Sequence, residues 1–274
     1  MTDVPPASMR VARTVWRAGV VTADGRELAE ETPVAFSYDG AAHAVMMASP
    51  ADLEDFAVGF SLTEGIIITE GEISEMEIAP VSGGISARMW LTDRPSEAFV
   101  ARRRRYVGPA GCGMCGLESI AEAIRDVPRV AATLRVSDAA ISAALAGMPG
   151  QQRLNRATHA VHAAGFWRPG AALILREDVG RHNALDKLAG ALARAGIRVD
   201  EGMVVMTSRL SVELVQKAAM MGVPVLVGVS APTGLAVRTA AACGITLVGI
   251  AREDGFEVFT EGWRISAEAS AHVA

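Results

Sequence analysis

Lysine is almost absent from this 274-residue chain: Lys187 and Lys217 stand among 26 basic residues, a bias read here as genomic rather than functional. Cysteine is scarce as well. Three thiols do not make a disulfide framework, and two of them share one C-x-x-C while Cys243 stands alone. No secretory leader is legible, because Arg10, Arg13, Arg17, Asp24 and Arg26 interrupt the first thirty residues. A cytoplasmic protein is therefore expected. Nor does any run read as a membrane span: the charge-free stretch 218–237 is broken by Pro224, Ser230, Pro232, Thr233 and three glycines. A net charge of −5 gives no general pull toward nucleic acid or anionic lipid, so neither is expected as a partner. Internal repeats and low-complexity tracts are missing too.

What is present is an ordinary globular composition, 50% apolar and 21% charged, in a length that suits one large domain or two modest ones. After an N-terminal extension over 1–30, residues 32–38 and 43–48 predict two strands around Asp39-Gly40, and Ser49 to Asp52 opens a helix over 53–62. Strands are predicted at 76–79 and 87–91. Four glycines and a proline between 108 and 116 rule out regular structure around Cys112 and Cys115, and a helix is expected over 117–125. Ser137-Asp138 starts a further helix to 146, and Met148-Pro149-Gly150 suggests a break. The expected division is thus an α+β part over 31–150 and an α/β part over 151–274. In the second part strands at 172–176, 203–207, 224–229 and 246–250 alternate with helices at 181–195, 212–221 and 235–243, which implies several parallel neighbours.

The chemistry concentrates at Cys112-Gly113-Met114-Cys115. A C-x-x-C entering a helix N-terminus favours the thiolate, the form that attacks and is attacked by sulfur, and flanking glycines leave room for a bulky partner. Spacing alone leaves a zinc half-site open, with His159 and His162 as distant further ligands. A thioredoxin-type enzyme is disfavoured, since this pair does not follow an early βαβ strand. A nucleobase deaminase needs H-x-E, which the chain lacks. A carrier of sulfane sulfur remains, alongside zinc and coincidence.

Other polar clusters fall where strands end. Glu177 to Lys187 includes Arg181, His182 and Asn183 at a strand-to-helix junction; the plain reading is a capped helix start with Asp186 and Lys187 facing solvent. Ser208-Arg209 and Ser230 to Thr233 follow the next two strands, and Arg252 to Gly255 closes the last. Three such ends together suggest a ligand crevice. The run 102–105 of four arginines reads as a solvated face or, beside the cysteines, as an attraction for phosphate. Cys243 reads as a buried small hydrophobe.

Taken in order, Pro50 to Phe60, Thr63-Glu64-Gly65-Ile66-Ile67, Gly111 to Gly116, Glu177 to Lys187 and Ser230-Ala231-Pro232-Thr233 resemble the formate dehydrogenase accessory sulfurtransferase family over about residues 33–260. The resemblance implies a cytidine-deaminase-like three-layer fold, a mixed sheet flanked by helices, without the deaminase's zinc. It also implies a homodimer that moves sulfur from a cysteine desulfurase to the bis(molybdopterin guanine dinucleotide) molybdenum cofactor of a formate dehydrogenase. Cys112 would carry the persulfide and Cys115 assist it. The segment Ile250-Ala251-Arg252-Glu253-Asp254-Gly255 would bind the cofactor, with Arg181, His182, Asn183, Ser208, Arg209, Ser230 and Thr233 nearby. The pattern departs from the family at Thr158-His159-Ala160, where Thr-Gly-Gly is usual, and at Ser208, where glycine is common. Competing readings are a zinc-stabilised binding module and a non-catalytic chaperone of the cofactor.

Overall fold

The computed structural model describes residues 3–92 and 126–267. The cysteine loop, the arginine run at 102–105 and the helix expected over 117–125 lie outside them.

The extension expected over 1–30 contains a regular antiparallel hairpin, β1 (Ser8–Arg17) and β2 (Val20–Ala29), paired over ten positions. Its alternating face was masked in the sequence by short side chains and charges, such as the pair Arg13 and Asp24.

Next comes a four-stranded sheet in the order β4-β3-β6-β5, from β3 (Thr32–Tyr38), β4 (Ala41–Ala48), β5 (Ile73–Val81) and β6 (Gly84–Leu91). Asp39 and Gly40 take φ of 49° and 78°, the left-handed pair that a tight hairpin turn needs. Strict alternation in β3 sends Val34, Phe36 and Tyr38 inward. There Phe36 stacks on Phe60 at 4.6 Å and meets Phe56 edge-on at 5.0 Å, fastening α1 (Leu53–Thr63) to the sheet.

The second sheet has six strands in the order β13-β12-β11-β10-β8-β9, with β8 (His162–Trp167), β9 (Ile174–Asp178), β10 (Met203–Met206), β11 (Val225–Gly228), β12 (Thr246–Arg252) and β13 (Gly255–Val258). β10, β11 and β12 run parallel; β8, β9 and β13 are antiparallel neighbours. A short parallel pair, β7 (Val136–Ser137) with β14 (Ile265–Ser266), completes the strands described. Three helices, α4 (Arg181–Arg194), α5 (Val212–Met221) and α6 (Gly234–Cys243), cover one face, where Leu185, Leu214 and Ala236 pack against Met206, Leu226 and Leu247. The other face meets α2 (Asp138–Gln151) through Ile141, Ala144 and Met148. The result is a mixed sheet between helical layers.

The strand β8 escaped the sequence reading because Ala163, Ala164 and Gly165 carry little β signal. The break read at Met148-Pro149-Gly150 is helical instead. α2 runs on to Gln151 because Met148 is buried, its sulfur lying over Gly165, where a Cβ would come within 2.5 Å. α3 (Arg153–Thr158) follows directly and ends in His159 at φ 56°.

The two sheets meet where α1 crosses α4. A Cβ on Gly59 would fall 1.7 Å from the Asp186 carbonyl oxygen, and one on Gly190 1.9 Å from that of Asp55. Two glycines thus let the helix backbones touch, and α4 is sandwiched between α1 and its own sheet.

Candidate functional site

That sandwich decides the fate of the charged residues at 177–187. Asp186 and Lys187, expected in solvent, are both fully buried. Two of their partners, Ser49 and Thr63, lie more than a hundred residues away in the chain, beside the other sheet, and two, Asp178 and Lys217, lie nearer. Lys187 Nζ sits 2.6 Å from Asp178 Oδ2 and donates to the Ser49 carbonyl at 2.8 Å. Asp178 also accepts from the Ser49 N–H and from the Asn183 amide. From α5, Lys217 Nζ reaches Asp186 and Glu64 at 2.9 Å and Thr63 Oγ1 at 3.0 Å. Burial raises the Asp186 carboxyl above its ordinary range, against the pull of Lys217 and Thr63. At the rim Asp55 accepts from Arg176 at 2.8 Å and Arg194 at 2.6 Å, and Arg194 also meets Glu54. These groups tie two sheets together, and Asn183 belongs to them: it is buried and also donates to the Met47 carbonyl.

The loops that follow β10, β11 and β12 are stitched into one edge. Leu210 pairs with Pro232, the Thr233 N–H donates to the Leu210 carbonyl, and the Ile250 N–H donates to the Ser230 carbonyl at 3.3 Å. Ser208, Arg209, Ser230, Thr233 and Ile250 are thereby brought together, at the end of a parallel sheet where ligand crevices form. Arg209 is exposed, Ser208 is buried with its hydroxyl on the Arg209 carbonyl, and Thr233 caps α6 through the Ala236 N–H. Ser208 does not have positive φ, so the glycine usual there is not required by backbone conformation, whereas left-handed His159 stands at a position that suits glycine.

Ile250 is the unusual member. A β-branched residue at φ 53° is sterically strained. It sits in a bulge where β12 shifts register against β13, between Gly249 and Arg252. Gly249 has no room for a side chain, since a Cβ would meet Pro232 at 2.7 Å. Because of the extra residue, Val248 and Ala251 both enter the core beneath α2, while Arg252, Glu253, Asp254 and Gly255 are exposed.

Beside this edge stand the first turns of α4 and α5. Neither N-cap, Gly180 or Ser211, makes a side-chain capping bond. Arg181 Nε and His182 Nε2 are buried and have no hydrogen-bond partner among the described residues, while the Glu213 carboxyl, raised by burial, is held below its ordinary range by the Ser211 hydroxyl and its own backbone N–H. His182 Nε2 lies 3.9 Å from Glu213 Oε2, too far for a hydrogen bond. Burial, reinforced by Arg181 and Lys217 and opposed by Glu213 and Glu64, depresses His182 from 6.5 to about 4. Its ring is neutral at physiological pH. Unsatisfied polar groups on α4, beside a second uncapped helix start, are what a polar ligand would complete. Sequence reasoning missed Ser211 and Glu213, whose Ser-x-Glu pattern reads as an ordinary helix cap.

Among the described residues no group of three His, Cys, Asp or Glu side chains could hold a metal ion. His159 is exposed, and His162 is half-buried with its pKa lowered by burial and by Arg181. Cys243 is buried, as expected, and burial pushes its thiol up. No described helix is long and apolar enough to cross a membrane.

Comparison with known proteins agrees with this architecture. The crystal structure of a Desulfotalea psychrophila protein assigned as a formate dehydrogenase accessory protein superposes with a TM-score of 0.77 at 27% identity, covering 95% of this chain and all of that one. The sulfur carrier protein FdhD of Agrobacterium fabrum is 53% identical over 267 residues, 96% of this chain and 98% of its own length. That of Brucella abortus is 51% identical over 88% of this chain and 90% of its own length. Residues 29–266, all of both large sheets, match the FdhD/NarQ family, and the chain belongs to it.

Proposed function

We propose that this protein is a sulfur carrier: Cys112 takes sulfur as a persulfide from a cysteine desulfurase, and Cys115 assists its release to the bis(molybdopterin guanine dinucleotide) molybdenum cofactor of a formate dehydrogenase. The reading rests on membership of a family whose similar members are named sulfur carrier proteins, in a chain that has Cys112-Gly-Met-Cys115. The observation that carries the cofactor part is the convergence of three strand-end loops and two uncapped helix starts, which leaves backbone N–H groups, Arg181 and Arg209 for a phosphate-bearing substrate. Arg252 to Gly255 supply an exposed turn beyond β12, and Ile250 joins the edge through its N–H on the Ser230 carbonyl. Placement in a cytoplasmic homodimer with a cytidine-deaminase-like fold, and the division into parts at about residue 150, belong to the same proposal.

Chemically, a thiolate at Cys112 attacks the outer sulfur of the desulfurase persulfide, and the desulfurase cysteine leaves as thiolate. Incubation with desulfurase and cysteine should add one sulfur to Cys112, read by peptide mass spectrometry, and Cys112→Ala should fail to restore formate dehydrogenase activity in cells lacking this gene. Full rescue by Cys112→Ala would leave a chaperone without sulfur chemistry. Stoichiometric zinc held by the cysteines would favour a binding module instead.

A further inference from the structure

Two parts of the surface are unfinished in ways that match. The first is the hairpin of β1 and β2, ten residues to a strand and so about 30 Å long, which is anchored toward its base. There β2 packs on α3, and Arg26 donates to the Thr158 carbonyl at 3.3 Å. A two-stranded hairpin alone is marginal in water. Its far end is apolar and uncovered: Ala18 and Gly19 form the turn at φ 47° and 80°, Trp16 pairs with Val21 and is 75% exposed, and Val20, opposite Arg17, is exposed too. Asp24 takes Arg13 at 3.0 Å, which leaves Arg17 as the cation of the distal half without an acidic partner among the described residues.

The second is a cleft of about 540 Å³ between the last turns of α1, α4 and α5, at the opposite ends of α4 and α5 from the strand-end loops. Leu62, Ala193, Ile197, Met220 and Met221 line it. Ile68 belongs to the same lining and is 87% exposed, although its loop is fixed: the Ile68 and Thr69 N–H groups donate to the Glu72 carboxylate at 3.0 and 2.9 Å. A large apolar side chain held rigidly in water is what a preorganised docking surface presents. Of the charged groups lining the cleft, Arg198 is taken by Asp200 at 2.7 Å, and Glu70 has no cationic partner among the described residues. The hairpin does not fill its own chain's cleft, since Trp16 and Ile68 are both exposed.

We propose that the hairpin tip of one copy of this chain fills the cleft of a second copy and the reverse, a contact that rests on the homodimer reading above. Trp16 and Arg17 point to opposite faces of the hairpin, so a cleft that takes the tip between its walls contacts both. Trp16 and Val21 enter beside Met220 and Met221, whose thioethers suit an aromatic ring. Arg17 meets Glu70, so the uncompensated cation of the tip and the uncompensated anion of the cleft satisfy each other. Tryptophan and arginine are the residue types that dominate interface energy. Because every copy carries both an arm and a cleft, pairing about a two-fold axis uses all four and closes, whereas a one-way contact would run on into open chains.

The test is sedimentation equilibrium of the full chain. Wild type should be a dimer, and Trp16→Ala should raise its dissociation constant about thirtyfold or more, the scale of an interface hot spot. Arg17→Glu and Glu70→Lys, both at exposed positions, should each weaken the dimer about tenfold by setting like charges together. Combined in one chain they should restore most of the loss, a recovery that misfolding cannot produce. A wild-type dimer untouched by Trp16→Ala, or a double variant no tighter than the single ones, overturns this contact and leaves the dimer to another part of the surface. A wild type that stays monomeric at every concentration removes the homodimer reading and this contact with it.

Discussion

Buried charge at residue 187 has a large effect because nothing nearby can replace its partner. Removing the Lys187 ammonium by Lys187→Met leaves the Asp178 carboxyl fully buried and short of one donor. Breaking such a pair costs about 3–5 kcal/mol. Urea denaturation should show that loss, and partial recovery in Asp178→Asn with Lys187→Met would trace it to the stranded carboxylate. His182 sets a pH dependence of known sign. Its folded pKa of about 4 lies below the ordinary 6.5, so the unfolded chain binds the proton first. Its contribution is complete above pH 6.5 and is lost as pH falls toward 4, by up to about 3 kcal/mol. Thermal melts between pH 7 and pH 5 should show a steeper decline for wild type than for His182→Gln. An identical decline in both would place the titrating group elsewhere. Neither Lys187 nor His182 was legible as buried from the sequence, since their surroundings come from residues 47–64 and 211–217 and proximity in the chain gives no hint of it.

At the scale of elements, the helices and parallel strands of the second half were legible because each is short, apolar and bounded by glycine, proline or a capping residue. The predicted helix at 212–221 coincides with α5, and Ser137 caps α2 through the Ala140 N–H. What the local pattern hides is how closely elements approach. Nothing in the sequence of α1 marks Gly59 as different from a helix-weakening residue, yet the crossing with α4 leaves no space for a methyl group there. Gly59→Ala, which would favour an isolated helix by roughly 1 kcal/mol, should instead destabilise the protein by about 1–3 kcal/mol through overpacking. A rise in melting temperature for this variant would mean that the helices do not cross at contact distance. The strained bulge in β12 behaves in the opposite way. Ile250→Asn removes apolar surface but places a residue tolerant of left-handed φ at 53°, so its stability should stay within about 1 kcal/mol of wild type.

For the whole molecule, the scarcity of lysine becomes an experimental handle. Both lysines lie in the seam between the sheets, Lys187 fully buried and held by Asp178 at the end of β9, Lys217 6% exposed and held by Asp186 of α4 and by Glu64 just after α1. Exposing either amine requires α1 and α4 to separate, which strips Asp55 of Arg176 and Arg194, Glu64 of Lys217, and Lys187 of the Ser49 carbonyl together. The cost of stranding several buried carboxylates joins the two sheets into one cooperative unit. Amine acylation of the native chain should therefore modify neither lysine, and both should become reactive over the same narrow range of urea. That range should coincide with the unfolding midpoints of single-tryptophan variants that retain only Trp90, in the four-stranded sheet, or only Trp167, in the six-stranded one. Separate midpoints, or a lysine acylated well before either tryptophan responds, would show that the sheets part before they unfold and that the charged seam is not what holds them.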